Sequence, residues 1–376
     1  MQKHNKVNDA KFIHIVGMYK SGTSWLLHVL CNHPRIVGWR EFDIIRATYK
    51  ETVISLLERI LLRFSDTRDV RMTERQISEI LDQTFLGRGW LPLMGADLRD
   101  SVKALDINNP SNFVDEFLRL ANSTLPRDDR ALLQPSRMNN TLGYRNSTRK
   151  ALIRFITNIQ ESESAVAAVH AYFSYLQSQC DSSAYIALKA ADQIPCLPLL
   201  QSASPSSKKI AVIRDGRDAA VSAEHFRQLM NKVDAPWTPG VSSYADRIYA
   251  WAHRVRLLLK YKDKYDITIL RYEDLQNDFI GVANALFNKL DIPLDLEDIT
   301  RIHEKTKFET VSGGRKPGEE AESVVRKGVV GEWRDVLSTK DANRAWKLAG
   351  RELEACGYSS NGMVGSPPAF VLKSYA

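Results

Sequence analysis

Cysteine is scarce in this chain, and no apolar run reaches membrane-spanning length. The four cysteines, Cys31, Cys180, Cys196 and Cys356, match neither a metal-ligand spacing nor a disulfide framework. They read as reduced thiols in an apolar core, and no metal site is expected. Like charges are not gathered in blocks: the lysines and arginines are spread along the chain. The net charge of +7 suits an anionic nucleotide or an acidic glycan, but is not the footprint of a nucleic-acid binder. Internal repeats and low-complexity tracts are absent too. Met1 to Lys11 is polar and a strand follows at once, so the expectation is a cytoplasmic chain with no signal peptide, anchor or membrane span. The tripeptides at Asn122, Asn139 and Asn146 fit the glycosylation pattern, which means little in such a compartment.

What is present is 376 residues with an ordinary 44% hydrophobic content, enough for one large α/β domain or two smaller ones. The organising stretch runs from Phe12 to Trp25. Phe12 to Val16 is a β-branched-rich apolar run that reads as a buried strand, and Gly17 ends it. Trp25, Leu26, Val29 and Leu30 then recur at helical spacing. Strand, glycine-bounded turn and helix aim backbone N–H groups and a helix N-terminus at one point, where an anion can sit. Gly17, Gly22 and Ser24 fall on the frame G-x-x-x-x-G-K-[ST], but the lysine of that frame is missing. Thr23 takes its place, and Lys20 stands in mid-turn, beside whatever is attached to a 5′-phosphate. A plain strand-to-helix turn is the simpler alternative. The crowding of Lys20, Ser21, Gly22, Thr23 and Ser24 favours anion binding.

Pro34 closes the first helix, and Ile36 to Trp39 reads as a second strand. Glu41 lies just beyond that strand's end, the side on which open parallel sheets bind ligands. Asp43 to about Gln179 reads as a largely helical insertion, broken by Gly, Pro and Asn, that shapes a substrate pocket or simply packs. Regular alternation then resumes: strands at Ala184 to Leu188, Lys209 to Ile213 and Asp266 to Leu270, helices at Arg217 to about Met230 and Tyr244 to Tyr265. This pattern predicts an α/β fold, a P-loop-like parallel sheet flanked by helices, as a single domain over residues 1–376 with the insertion at 43–179.

Two further stretches repeat the opening logic. Lys209 to Ile213 ends in Arg214, a turn follows, and the next helix carries Ser222; Arg214 points into the ligand crevice and Ser222 can donate to the same anion. The plainer account of Arg214-Asp215-Gly216-Arg217-Asp218 is a surface salt-bridge turn. Near the C-terminus, Arg326-Lys327-Gly328-Val329-Val330-Gly331-Glu332-Trp333 sets two cations before two glycines, able to neutralise a dianionic phosphate, unless it is merely an exposed basic loop.

Taken together, these segments resemble the sulfotransferase family that uses 3′-phosphoadenosine 5′-phosphosulfate (PAPS). Lys20-Ser21-Gly22-Thr23-Ser24-Trp25 is similar to its 5′-phosphosulfate loop. Arg214 and Ser222, with Arg326, Lys327 and Gly328, resemble its 3′-phosphate site. Tyr272-Glu273-Asp274 resembles a segment beside the adenine, and Thr306-Lys307-Phe308-Glu309 resembles its Ser-Phe-Glu segment. The matches run in family order from residue 12 to residue 338 and leave the insertion uncovered.

The resemblance implies sulfuryl transfer from PAPS to a hydroxyl or amine of a small-molecule or carbohydrate acceptor, releasing adenosine 3′,5′-bisphosphate. Lys20 would stabilise the bridging oxygen, Thr23 the 5′-phosphate, and Trp25 would pack against the adenine. Small-molecule members carry a His after a central strand. Here that stretch is Leu188-Lys189-Ala190-Ala191-Asp192-Gln193, without one. Several glycan and tyrosine sulfotransferases instead carry a Glu after a His-Pro segment that follows the first helix, and His33-Pro34 with Glu41 is similar. Glu41 is thus the first candidate base and Asp192 the second. His33 reads as a helix-end residue and His14 as a core or edge histidine. The rival readings are a P-loop nucleotide kinase, against which Thr23 at the lysine position speaks, and a non-catalytic nucleotide-binding protein, against which Lys20 speaks. Neither acceptor identity nor oligomeric state is written in the sequence.

Overall fold

A computed structural model of the chain describes residues 11–40, 141–142, 154, 157–158, 165–178, 180–189, 194, 197–232, 243–323 and 325–362. Most of the expected insertion lies outside the described residues, as do Glu41, Asp192 and Cys196.

Six strands form one sheet: β1 (Phe12–Gly17), β2 (Ile36–Arg40), β3 (Thr141–Leu142), β4 (Tyr185–Lys189), β5 (Lys208–Ile213) and β6 (Ile267–Arg271). Their order is β3-β2-β4-β1-β5-β6 and every pairing is parallel. The expected parallel α/β sheet is what is found, and β1 lies inside it, between β4 and β5. Both faces of such a sheet must be covered, so its central strands are buried along their length and mostly apolar rather than alternating. Ile13 and Ile15 of β1, with Ile210 and Val212 of β5, pack on one face against α1 (Thr23–Cys31), α7 (Phe279–Lys289) and α8 (Leu296–Thr306). Val16, Ala211 and Ile213 pack on the other against α4 (Gly216–Lys232), α5 (Tyr244–Tyr261) and α11 (Thr339–Ala355). Between these elements the chain adds α2 (Ala165–Gln177), α3 (Leu197–Ala203), α6 (Tyr272–Asn277), α9 (Phe308–Ser312) and α10 (Trp333–Val336).

Element ends move by a few residues from the sequence expectation. Helix α5 stops at Tyr261 instead of Tyr265 and a turn follows it; β6 starts at Ile267 rather than Asp266, because Asp266 adopts a left-handed φ of 47° that a strand does not accommodate. His14 is a core residue on an interior strand, and its Nε2 lies 3.0 Å from Ser204 Oγ. Ser204 Oγ donates to Ser207 Oγ at 2.8 Å, so His14 Nε2 is the donor in that contact and no nucleophile is activated there. Burial and the nearby Lys209 push the His14 pKa down to about 3, so the ring stays neutral. His33 has the helix-end role: its Nδ1 accepts from the Arg35 N–H at 3.0 Å. Cys31, Cys180 and Cys356 are free thiols, with Cys31 and Cys356 buried. No helix among the described residues is long and apolar enough to cross a membrane.

Candidate active site

The site lies where β1, β5 and β6 end, the edge at which parallel sheets leave a crevice. After Gly17 the chain turns through Lys20, whose φ of 63° is left-handed despite its side chain, and through Gly22 at φ 93°. Strain of that kind concentrates at functional sites. Gly22 is required twice over, since a Cβ there would also lie 2.6 Å from the Tyr272 ring. Helix α1 starts at Thr23 with no side-chain cap, which leaves its first-turn N–H groups to whatever binds in front of it. Lys20 Nζ sits 4.6 Å from the centre of the Phe226 ring. Burial first, then Arg214, Arg326 and Lys189, lower its pKa to about 8. A bound anion would offset both the burial and the neighbouring positive charge that act on Lys20.

Arg214 follows β5 directly. Its Nη2 donates to the Val329 carbonyl at 2.8 Å, its Nη1 reaches the Lys20 carbonyl at 3.5 Å, and its Nη2 lies 3.7 Å from Asp218 Oδ2. Nε is buried with no hydrogen-bond partner among the described residues. One guanidinium thereby joins three segments that are remote in sequence. The surface salt-bridge account of residues 214–218 does not hold, because Asp215, Arg217 and Asp218 are all buried. Arg217 forks onto Asp215, at 2.9 Å and 2.7 Å, and also donates to the Ser359 and Ser360 carbonyls. Asp218 accepts from the Gly331 N–H at 2.6 Å and the Trp333 N–H at 3.0 Å, which docks the C-terminal basic loop on α4. Burial raises the Asp218 pKa even so.

The basic loop is equally well tied. Arg326 forks onto Glu332, with Nη1 to Oε1 at 2.7 Å, and Lys327 Nζ lies 3.0 Å from the same carboxylate. Burial works against charge on Glu332, yet the hydrogen bonds from Arg326 and Lys327 hold its carboxyl below the usual range. Glu320 also meets both cations, at 3.1 Å and 3.4 Å. Arg315 Nη1 braces the backbone by donating to the Arg326 carbonyl at 2.6 Å.

Opposite these charges stand three rings. Trp25 meets Tyr272 edge-on, centroids 5.5 Å apart, and its Nε1 donates to the Thr306 carbonyl at 2.8 Å. The Arg214 guanidinium lies 4.7 Å from the centre of the Tyr272 ring. Phe308 packs against Gly328, where a Cβ would lie 2.2 Å from its ring.

One cavity is lined by every nucleotide-binding candidate from the sequence except Ser21: Lys20, Gly22, Thr23, Ser24 and Trp25 from the loop and α1, Arg214 and Ser222 from β5 and α4, then Tyr272, Thr306, Phe308, Arg326, Lys327 and Gly328. Ser21 is fully buried behind the turn, with Oγ lacking a hydrogen-bond partner among the described residues. Both candidate bases lie outside the described residues. Sequence reasoning missed His28, Gln276 and Glu332, which also line the cavity, and Asp218 behind it. His28 follows Ser24, and Gln276 follows Tyr272, by four residues on a helix, a spacing that puts each on its partner's face. Glu332 and Asp218 sit inside motifs already singled out for their cations.

The sulfotransferase domain model matches residues 11–357. Among curated proteins, the chain is 27% identical to mouse (Mus musculus) sulfotransferase 1B1 over 172 residues, covering 40% of this chain and 56% of that protein. It is 22% identical to the amine sulfotransferase of Oryctolagus cuniculus over 169 residues, covering 39% and 55%. The chain thus spans about half the length of the curated relatives it matches. Among solved structures, it is similar at 15% identity and a TM-score of 0.41 to retinol dehydratase in a complex with retinol and PAP, covering 92% of this chain and 82% of that one.

Proposed function

The chain belongs to the sulfotransferase domain family, and from that premise we propose that it transfers a sulfuryl group from PAPS to a hydroxyl or amine of a small-molecule or glycan acceptor. The observation that carries this reading is the single cavity on which Lys20, Arg214, Arg326 and Lys327 converge with Trp25, Tyr272 and Phe308. Four cations facing three aromatic rings suit a nucleotide with two separated anionic groups and a flat base. The buried Arg214 Nε, unsatisfied among the described residues, fits a polar ligand as well.

In this reading the first-turn N–H groups of α1, with Thr23 and Ser24, hold the 5′ anion. Arg214, Ser222, Arg326 and Lys327 hold the 3′-phosphate, and Gly328 lets the backbone come close. Trp25, Tyr272, Thr306 and Phe308 hold the base. PAPS, when bound, supplies the sulfuryl group. Lys20 keeps a positive charge where the bridging oxygen gains negative charge, an electrostatic contribution that needs no rearrangement at the moment of reaction. Glu41, or failing that Asp192, takes the acceptor's proton. The free thiols Cys31, Cys180 and Cys356 accord with the reducing cytoplasm expected for such an enzyme.

Thermal unfolding with added nucleotides tests the reading through binding alone, since a ligand that prefers the folded state raises Tm. Adenosine 3′,5′-bisphosphate should stabilise the protein far more than adenosine 5′-monophosphate at equal concentration. Stabilisation by Mg²⁺–ATP but not by the bisphosphate would turn the assignment toward a phosphotransferase.

A further inference from the structure

Tyr272 opens α6 directly after β6, and Gln276 lies one turn later on the same helix face. Gln276 Nε2 donates to the Tyr272 hydroxyl at 2.9 Å and to the Gly328 carbonyl at 3.2 Å. A carbonyl oxygen can only accept, so the Gly328 contact settles which end of the Gln276 amide is nitrogen. Both amide N–H groups are then in use. The Tyr272 hydroxyl, accepting from Gln276, has its own proton turned away from the amide. Burial raises the Tyr272 pKa, so the hydroxyl keeps that proton.

The ring that carries this hydroxyl is held on three sides, by Gly22, the Arg214 guanidinium and the edge of Trp25. The Gly328 carbonyl is fixed as well. Its residue adopts φ 62° and has no room for a Cβ against Phe308. Tyr272, Gln276 and Gly328 all line the same cavity.

We propose that Gln276 sets base recognition: it orients the Tyr272 hydroxyl as a one-way donor into the cavity, so that the site selects a purine presenting an unprotonated ring nitrogen to it. Gln276 is a positioning residue that acts through Tyr272. By bridging to Gly328 it also links the base contact to the loop carrying Arg326 and Lys327. The inference deepens the proposed nucleotide site and rests on it.

Calorimetric titration with adenosine 3′,5′-bisphosphate and with its 1-deaza, 3-deaza and 7-deaza analogues, each lacking one ring nitrogen, reads this directly. The wild-type protein should bind one of the three analogues about tenfold more weakly than the parent, the loss of one neutral hydrogen bond. Tyr272→Phe should bind the parent about tenfold more weakly and discriminate against none of the analogues. Gln276→Glu should behave in the same way, because a carboxylate only accepts and turns the Tyr272 proton back toward itself. Gln276→Met, close in size and without polar hydrogens, carries the test if the Glu variant does not fold; it frees the hydroxyl to rotate and should shrink the discrimination.

Wild-type protein that binds all three analogues as well as the parent would overturn the proposal. Gln276 variants that lose affinity for every ligand equally while keeping the discrimination would overturn it too, and leave Gln276 as packing. Wild-type protein that binds no bisphosphate at all would remove the nucleotide site itself, a failure visible before any analogue or variant is compared.

Discussion

Replacing Glu273 with Gln should flatten one limb of the protein's stability curve against pH. Glu273 is fully buried beneath the candidate site; its Oε1 accepts from the Asp215 N–H at 3.0 Å and its Oε2 from the Tyr358 hydroxyl at 2.7 Å. Burial dominates over these hydrogen bonds and raises its pKa from 4.5 to about 7. A raised carboxyl pKa means that, between those values, the folded chain holds a proton the unfolded chain has released. Stability from this group is therefore full below about pH 4.5 and declines as pH rises toward 7. The displacement corresponds to about 3 kcal/mol over that window. Gln keeps the size, an acceptor for Asp215 and a partner for Tyr358, but has no proton to lose. Urea unfolding of both proteins from pH 4.5 to 8 isolates the group in the difference between the curves, since every other titration is common to both. The difference should change by about 3 kcal/mol, with Glu273→Gln gaining on the wild type as pH rises. Parallel curves would show that Glu273 is ionised throughout and that the burial argument is wrong.

The same arithmetic applied to the site gives three further expectations. With a pKa near 8 in the free protein, Lys20 should lose its charge above that pH, so kcat/KM should fall on the alkaline side near pH 8; Lys20→Met should cut turnover by roughly 10²–10³ while changing bisphosphate affinity far less. Glu320 competes with any phosphate for Arg326 and Lys327, and Glu320→Gln should tighten adenosine 3′,5′-bisphosphate binding about two- to fivefold without affecting the 5′-monophosphate, as measured by titration. Glu41→Gln should bind the nucleotide normally, transfer slowly and lose the acidic limb of its pH–rate profile, whereas loss confined to Asp192→Asn would transfer the role of base to Asp192.

The sequence made some of this architecture legible and hid the rest for physical reasons. β1, its loop and α1 could be read directly because two glycines bound a turn between an apolar run and a helical pattern, all within Phe12 to Trp25. Both faces of β5 are buried, so the apolar run Ile210 to Ile213 after Lys209 stood out. What Arg217 and Asp218 do was not legible. Their partners, Ser359, Ser360, Gly331 and Trp333, are more than a hundred residues away, and a local reading makes them a surface ion pair. Gln276 lay outside the resemblance, and its value depends on Gly328 approaching from another segment. The cations were found, while of the carboxylates that neutralise them Glu332 was read only as part of their motif and Glu320, outside it, was not singled out.

Sulfuryl transfer itself is open to one direct measurement. Purified protein incubated with PAPS and a mixed library of hydroxyl- and amine-bearing small molecules and glycans is read by mass spectrometry, with Lys20→Met alongside. At least one acceptor should carry one added sulfuryl group, formed together with adenosine 3′,5′-bisphosphate and lost in Lys20→Met. A wild-type protein that binds the bisphosphate tightly yet modifies no acceptor and consumes no PAPS would contradict it, and would leave a nucleotide-binding protein in place of a transferase.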